Sequence, residues 1–165
     1  MSTRFAIGQD SHAFETSPGK LFAKPLILGG AVFEGCPCLV ANSDGDVLLH
    51  ALTNAISGIT CRNVLGSVAD EMLERGISDS AEYLRVAMDD LKKAGGRLVN
   101  ISFSVEARRP RFLPVIEEIR RSVAKLCGIT ADRVGITATS GEGLSDFGRG
   151  LGIMVFCSVT AEFDD

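Results

Sequence analysis

Between Phe5 and His12 the chain reads Phe-Ala-Ile-Gly-Gln-Asp-Ser-His, which predicts a strand running into a polar end. Leu26-Ile-Leu-Gly-Gly-Ala-Val-Phe33 carries a Gly-Gly pair, so it predicts either one bent strand or a hairpin. Pro18-Gly19 and Pro25 mark the stretch between them as loop. Helical patterns follow. Ser43-Asp-Gly-Asp46 has the spacing of a capping box, with the Ser43 oxygen accepting from the amide three residues on and Asp46 reaching back. Val47, Leu48, Ala51, Leu52, Ala55 and Ile56 then recur at helical period, beside a polar stripe of Asp46, His50 and Asn54. Val64 to Arg75 predicts a short helix ended by Gly76. Asp79 with Glu82 opens another through Leu84, Met88 and Leu91 to Gly95-Gly96. From Leu98 to Ala107, Val99, Ile101, Phe103 and Val105 alternate with polar neighbours as in a half-buried strand. Pro114, Glu117, Glu118 and Gly128 frame a further helix. Arg133 to Thr139 and Gly150 to Phe163 complete the strands. The elements interleave without linker or repeat. They predict a single α/β (α+β) domain over residues 1–165, a mixed sheet with helices packed on one face, ferredoxin-like.

Composition narrows the function classes. At 165 residues the chain is about one domain and long enough to bury a core without disulfides. Lys and Arg number 17 against 21 Asp and Glu, a net charge of −4. That balance speaks against an overall electrostatic grip on nucleic acid or an anionic membrane, while leaving room for a local basic patch. Mean hydropathy is +0.21, yet no apolar run approaches the ~18 residues of a membrane helix. Met1 to Gly8 shows no signal-peptide pattern, so a cytoplasmic protein is expected. Of five cysteines, Cys127 and Cys157 sit in apolar patterns and read as small core residues. Cys36-Pro-Cys38 lacks a second Cys/His pair nearby, and Cys61 stands alone; a reducing compartment is the reading.

Four segments carry candidate chemistry. Asp10-Ser11-His12 places a carboxylate and an imidazole on one face of a strand, since i and i+2 point the same way. Alone, that pair reads equally as a solvent-facing strand end. His50, one of only two histidines, lies on an apolar helix where a lone histidine is ordinarily a core residue. Together, one Asp and two His make the three-ligand set of a catalytic zinc, with a fourth position open. Asp46, one turn before His50, either orients that imidazole or serves the helix cap. Thr137 to Leu144 supplies hydroxyls and glycines that let backbone amides approach phosphate, with Glu142 suited to a hard divalent cation or to an exposed turn. Ala107-Arg-Arg-Pro-Arg-Phe-Leu-Pro114 gathers three arginines into an anion patch, or into solvated surface.

The chain resembles the 2-C-methyl-D-erythritol 2,4-cyclodiphosphate synthase family of the non-mevalonate isoprenoid pathway, in a divergent, chlamydial-like branch. The matching pieces, in family order, are Gly8-Gln-Asp-Ser-His-Ala-Phe14, Leu28-Gly-Gly30, Ser43-Asp-Gly-Asp-Val-Leu-Leu-His-Ala51, Ala107 to Pro114, Ala138-Thr-Ser-Gly-Glu-Gly-Leu144 and Gly148-Arg-Gly150. The resemblance implies a homotrimer with active sites between subunits and no nucleic-acid or membrane partner. It implies a cytidine diphosphate substrate, 4-diphosphocytidyl-2-C-methyl-D-erythritol 2-phosphate, closed to the cyclic diphosphate with loss of CMP. Asp10, His12 and His50 match the ligands of one Zn2+ per site, and Glu142 that of a second divalent ion, Mg2+ or Mn2+. Ala107, Pro110, Arg111, Phe112, Leu113, Ala138, Thr139 and Ser140 match the cytidine and phosphate pocket; Ser43 and Gly66 join Asp10 and His12 at the substrate. Asn42 and Ser140 take the catalytic positions, and Arg149 lies near the trimer axis, where an anionic or isoprenoid-like ligand binds.

Asn42 stands where the family usually has histidine, Arg111 where it often has lysine, and Val64 where an acidic group is expected. Asparagine keeps amide donors for phosphate but brings no positive charge. Those departures leave a second reading open, a non-catalytic trimer that binds cytidine nucleotides or isoprenoid diphosphates.

Overall fold

The buried helix α1 (Val47–Thr60) organises the molecule. Eleven of its 14 residues are buried, so it is covered on nearly every side rather than on one stripe. Its floor is a four-stranded sheet of β1 (Ser2–Ala13), β4 (Gly96–Glu106), β5 (Val134–Thr139) and β6 (Gly152–Phe163), in the order β1-β6-β4-β5. The computed structural model describes residues 1–164. β6 pairs antiparallel with both β1 and β4, and β5 lies parallel to β4. α3 (Ser80–Lys93) and α4 (Ile116–Cys127) complete the helical layer, and a small hairpin, β2 (Leu26–Leu28) with β3 (Ala31–Phe33), turns at the Gly-Gly pair. α2 (Ser67–Glu74) is a short outer helix with no fully buried residue.

Alternation along the strands separates the two faces of the sheet. Ile153, Val155, Cys157, Val159 and Ala161 of β6 point into the core with Ile101, Phe103 and Val105 of β4. The other face carries no helix and leaves Phe5 and Ile7 of β1 exposed beside Phe156. Cys127 and Cys157 are buried core groups, as their apolar surroundings suggest; burial pushes the Cys127 thiol up to about 12 and the Cys157 thiol up as well. No described helix is long and apolar enough to cross a membrane.

One contact sets the distance between α1 and the sheet. A Cβ on Gly8 would lie 2.2 Å from the Ala51 carbonyl oxygen and 2.3 Å from the Ala55 nitrogen. Only glycine lets the α1 backbone rest directly on β1.

Three expectations need correction. The mixed sheet with helices on one face stands, but its connectivity is not ferredoxin-like. That arrangement runs β-α-β-β-α-β. Here α4 carries the chain from β4 to a parallel β5, and β6 then returns to insert between β1 and β4. The cap of α1 is Asp46, whose carboxylate accepts from Leu49 N at 3.0 Å; Ser43 Oγ instead accepts from Gly45 N at 3.3 Å. Val99 falls out of phase because a bulge between Leu98 and Asn100 shifts the register, so Leu98 takes the buried place.

Candidate active site

β1 and α1 meet at a cluster of three side chains. Gly8, Asp10 and His12 share the helix-facing side of β1 at a period of two. His50 descends from the first turns of α1 onto the same spot. Asp10 Oδ2 lies 3.0 Å from His12 Nε2 and 3.1 Å from His50 Nδ1, and the two imidazole nitrogens are 3.4 Å apart. Among the described residues this is the one group of three whose ligand atoms all lie within 4.8 Å of one another. Three lone pairs aimed at one point repel unless a cation or protons lie between them. One carboxylate oxygen and two imidazole nitrogens form a donor set that suits a divalent ion such as zinc and leaves a fourth position free.

The electrostatics follow from this crowding. Burial alone would raise the Asp10 carboxyl, but hydrogen bonds from His12 and His50, with their charges, outweigh it and hold it at about 2. The Asp10 hydrogen bond raises His12 in turn, against its own burial. His12 Nδ1 faces the Val40 carbonyl at 2.9 Å, which leaves Nε2 for the cluster. His50 Nε2 faces Ser80 Oγ at 2.8 Å and Ser43 Oγ at 3.3 Å.

Asp46 does not orient His50. Its Oδ1 caps α1 and its Oδ2 accepts from Gly29 N at 2.7 Å, so both oxygens serve backbone amides. Burial pushes this carboxyl up to about 7, against those two hydrogen bonds. Asp46 therefore ties the β2–β3 hairpin to the start of α1.

A cavity of about 350 Å³ opens beside the cluster. Asp10, His12, Asn42, Ser43, His50 and Gly66 line it, and Asn42 is exposed there. Asn54, from the polar stripe of α1, also lines it, with Leu65, Asp70 and Tyr83, whose place here depends on tertiary packing that no local pattern shows. Val64 is buried in the core and does not line the cavity.

The remaining predicted residues gather elsewhere. Ala107, Pro110, Arg111, Phe112, Leu113, Ala138, Thr139 and Ser140 line a second cavity of about 330 Å³ at the ends of β4 and β5, with Arg108 and Pro114. Parallel pairing of these strands, Val105 opposite Ala138 and Glu106 opposite Thr139, brings the two segments together. Glu142 lines a third cavity with Arg108, Ser140, Gly143 and Gly148. It is a non-glycine residue at φ 51, between Gly141 and Gly143 at φ 73 and 74. A Cβ on Gly148 would lie 2.7 Å from the Gly141 carbonyl oxygen, so the loop is folded tightly on itself. Arg149 lines none of these cavities and pairs with Asp146 at 2.6 Å. Among the described residues, Cys36 and Cys38 join no metal-ligating group; the Cys38 thiol donates to the Lys20 carbonyl.

Residues 3–162 match the YgbB family. The 2-C-methyl-D-erythritol 2,4-cyclodiphosphate synthase of Chlamydia abortus is 49% identical over 158 residues, 95% of this chain and 88% of that protein. The synthase of Chlamydia trachomatis serovar L2 is 44% identical over 158 residues, 95% of this chain and 86% of that one. Among solved structures, the bifunctional IspDF of Campylobacter jejuni superposes with a TM-score of 0.88 at 30% identity. That match covers 99% of this chain but 43% of the other, so this chain spans less than half of the bifunctional protein. The 2C-methyl-D-erythritol 2,4-cyclodiphosphate synthase of Plasmodium vivax superposes with a TM-score of 0.81 at 26% identity, covering 99% and 100% of the two chains. With its metal-ligating cluster and nearly its whole length matched, the chain belongs to the YgbB family.

Proposed function

We propose that this chain is a metal-dependent phosphorus–oxygen lyase of isoprenoid precursor biosynthesis that converts 4-diphosphocytidyl-2-C-methyl-D-erythritol 2-phosphate into 2-C-methyl-D-erythritol 2,4-cyclodiphosphate and CMP. The observation that carries this reading is the convergence of Asp10, His12 and His50 in a chain 49% identical to a synthase of that name. An oxygen of the substrate's 2-phosphate attacks the β-phosphorus, a new P–O bond forms, and the bond to the CMP oxygen breaks. The nucleophile belongs to the substrate, so the protein's work is orientation and charge stabilisation.

Asp10, His12 and His50 would hold zinc. When bound, a divalent ion supplies polarisation of a phosphate oxygen. Asn42 and Ser43, at the mouth of the same cavity, offer amide and hydroxyl hydrogen bonds to the reacting phosphates. Ala107 to Leu113, with Ala138 to Ser140, hold the cytidine: backbone groups read the base, and Arg108 and Arg111 face the diphosphate. Glu142 would hold the second ion, Mg2+ or Mn2+, against the diphosphate, with Ser140 beside it at 3.3 Å.

The cluster's cavity and the cytidine cavity share no lining residue, which supports a site completed by a neighbouring subunit. The helix-free sheet face with Phe5, Ile7 and Phe156 supplies the apolar surface for a homotrimer. Arg149 is assigned to the trimer axis, and the enzyme to the cytoplasm.

The experiment is metal analysis of the purified protein joined to CMP release from the true substrate, before and after chelation. We expect about one zinc per chain and a reaction that stops on chelation and returns with metal. Full activity in chelated His50→Ala would sink the assignment. Calorimetric binding of CDP without turnover would favour a non-catalytic nucleotide-binding trimer, the reading that Asn42 in place of histidine leaves standing.

A further inference from the structure

We propose that Ser80 and Asp44 are positioning residues for His50, a two-step relay that fixes which imidazole nitrogen faces the metal position. Ser80 is the first residue of α3, fully buried, 30 positions from His50 in sequence. Its backbone N donates to Asp44 Oδ2 at 2.9 Å and its hydroxyl donates to Asp44 Oδ1. Its oxygen lies 2.8 Å from His50 Nε2.

Proton bookkeeping then leaves one arrangement. A deprotonated carboxylate only accepts, so Asp44 takes the single hydroxyl hydrogen of Ser80. Ser80 Oγ can therefore offer His50 only a lone pair, and Nε2 must carry the imidazole hydrogen. An imidazole that ligates a metal is neutral with one N–H, so with the metal in place Nδ1 is bare; without it, a second proton on Nδ1 makes the hydrogen bond to Asp10 Oδ2, 3.1 Å away. A metal ligand needs that bare nitrogen, and a carboxylate-backed partner on the far nitrogen makes it a better donor. Water does not replace the hydroxyl readily, because the hole left by one buried oxygen is smaller than a water needs. The relay also fastens the start of α3 to the loop that bears Asn42 and Ser43, where Asp44 N donates to the Ser78 carbonyl at 3.0 Å.

The inference rests on Asp10, His12 and His50 being a metal site, but not on the cyclisation. Its test measures metal directly: zinc affinity by chelator competition, and the d–d absorption of the cobalt-substituted protein. Ser80→Ala is expected to weaken zinc binding about 10- to 100-fold and to shift the cobalt spectrum. Ser80→Thr, which keeps the hydroxyl, is expected to restore both. Asp44→Ala should weaken zinc comparably, and the double variant should lose little more than either single one. Wild-type zinc affinity and spectrum in folded Ser80→Ala overturns the proposal. So do fully additive losses in the double variant, and if Ser80→Ala does not fold, an unchanged Asp44→Ala does the same. A chain that binds no zinc at all would overturn the metal site itself, whereas intact zinc binding without CMP release would count only against the cyclisation.

Discussion

The two halves of the candidate site are built by different means. The half with Asp10, His12 and His50 stands on a strand and a buried helix, with each imidazole's outer nitrogen held by a fixed partner. The half with residues 107–113 and 138–142 stands where strands end. Arg111, Leu113, Thr139, Ser140 and Glu142 are exposed, and the loop that holds Glu142 depends on three successive left-handed residues. The first half takes its precision from packing in the core. The second takes it from backbone conformation in short loops.

If packing sets the first half, the largest effect should come from a residue that bears no ligand. Gly8→Ala drives a methyl group into the Ala51 carbonyl and the Ala55 nitrogen, both backbone atoms that cannot rotate away. We expect a loss of about 3 kcal/mol or more, at the severe end of overpacking, by urea denaturation. Zinc content should fall with it, because lifting α1 carries His50 away from Asp10. A Gly8→Ala protein with wild-type stability and a full complement of zinc would break the comparison.

The second effect concerns Asp46, which ties the start of α1 to the hairpin. Its folded-state carboxyl titrates near 7, above its ordinary 3.8, so the native state binds this proton more tightly than the unfolded chain. The stability from that proton is whole below about pH 4 and is lost as pH rises through about 7. Compared with Asp46→Asn, the wild type should therefore lose relative stability between pH 4 and 7. The limiting slope is about 1.4 kcal/mol per pH unit, the value for one proton. Urea titrations of both metal-free proteins at pH 5, 6 and 7 measure it, and a difference independent of pH would mean that Asp46 is not buried as described.

The contrast also explains what the sequence could and could not reveal. Period two put Asp10 and His12 on one face, and the helical stripe placed His50, because each pattern is local. Ser80 and Asp44 escaped because hydrogen bonding across 30 and 36 positions depends on how α3 lies over α1, which no local period encodes. The same limit explains the misjudged connectivity: apolar alternation identified β6 as a strand but not its neighbours, and its place between β1 and β4 is a matter of tertiary pairing. Asp46 shows a third case. Its spacing fitted two roles, and only the position of Gly29 N, reached through the hairpin, decided between them. In the second half, the glycines around Glu142 were legible as a turn, while the cavity they form with Arg108 required the parallel pairing of β4 and β5.

The smallest effect isolates the backbone of the second half. A left-handed conformation costs an ordinary residue about 1–2 kcal/mol, and Glu142 holds one at φ 51. Glu142→Gly relieves that cost, while the greater freedom of glycine in the unfolded chain returns about 0.5–1 kcal/mol of it. A net gain of about 0.5–1 kcal/mol in stability is expected, together with loss of CMP release. Glu142→Gln retains the strained backbone and removes only the carboxylate, so it should lose activity with stability unchanged. The pair separates two accounts of the residue. If glycine stabilises and both variants lose activity, the fold tolerates strain at this position for the sake of a carboxylate that the reaction requires. If glycine destabilises, Glu142 contributes to holding the loop together, and the second half is packed more like the first than its exposure indicates.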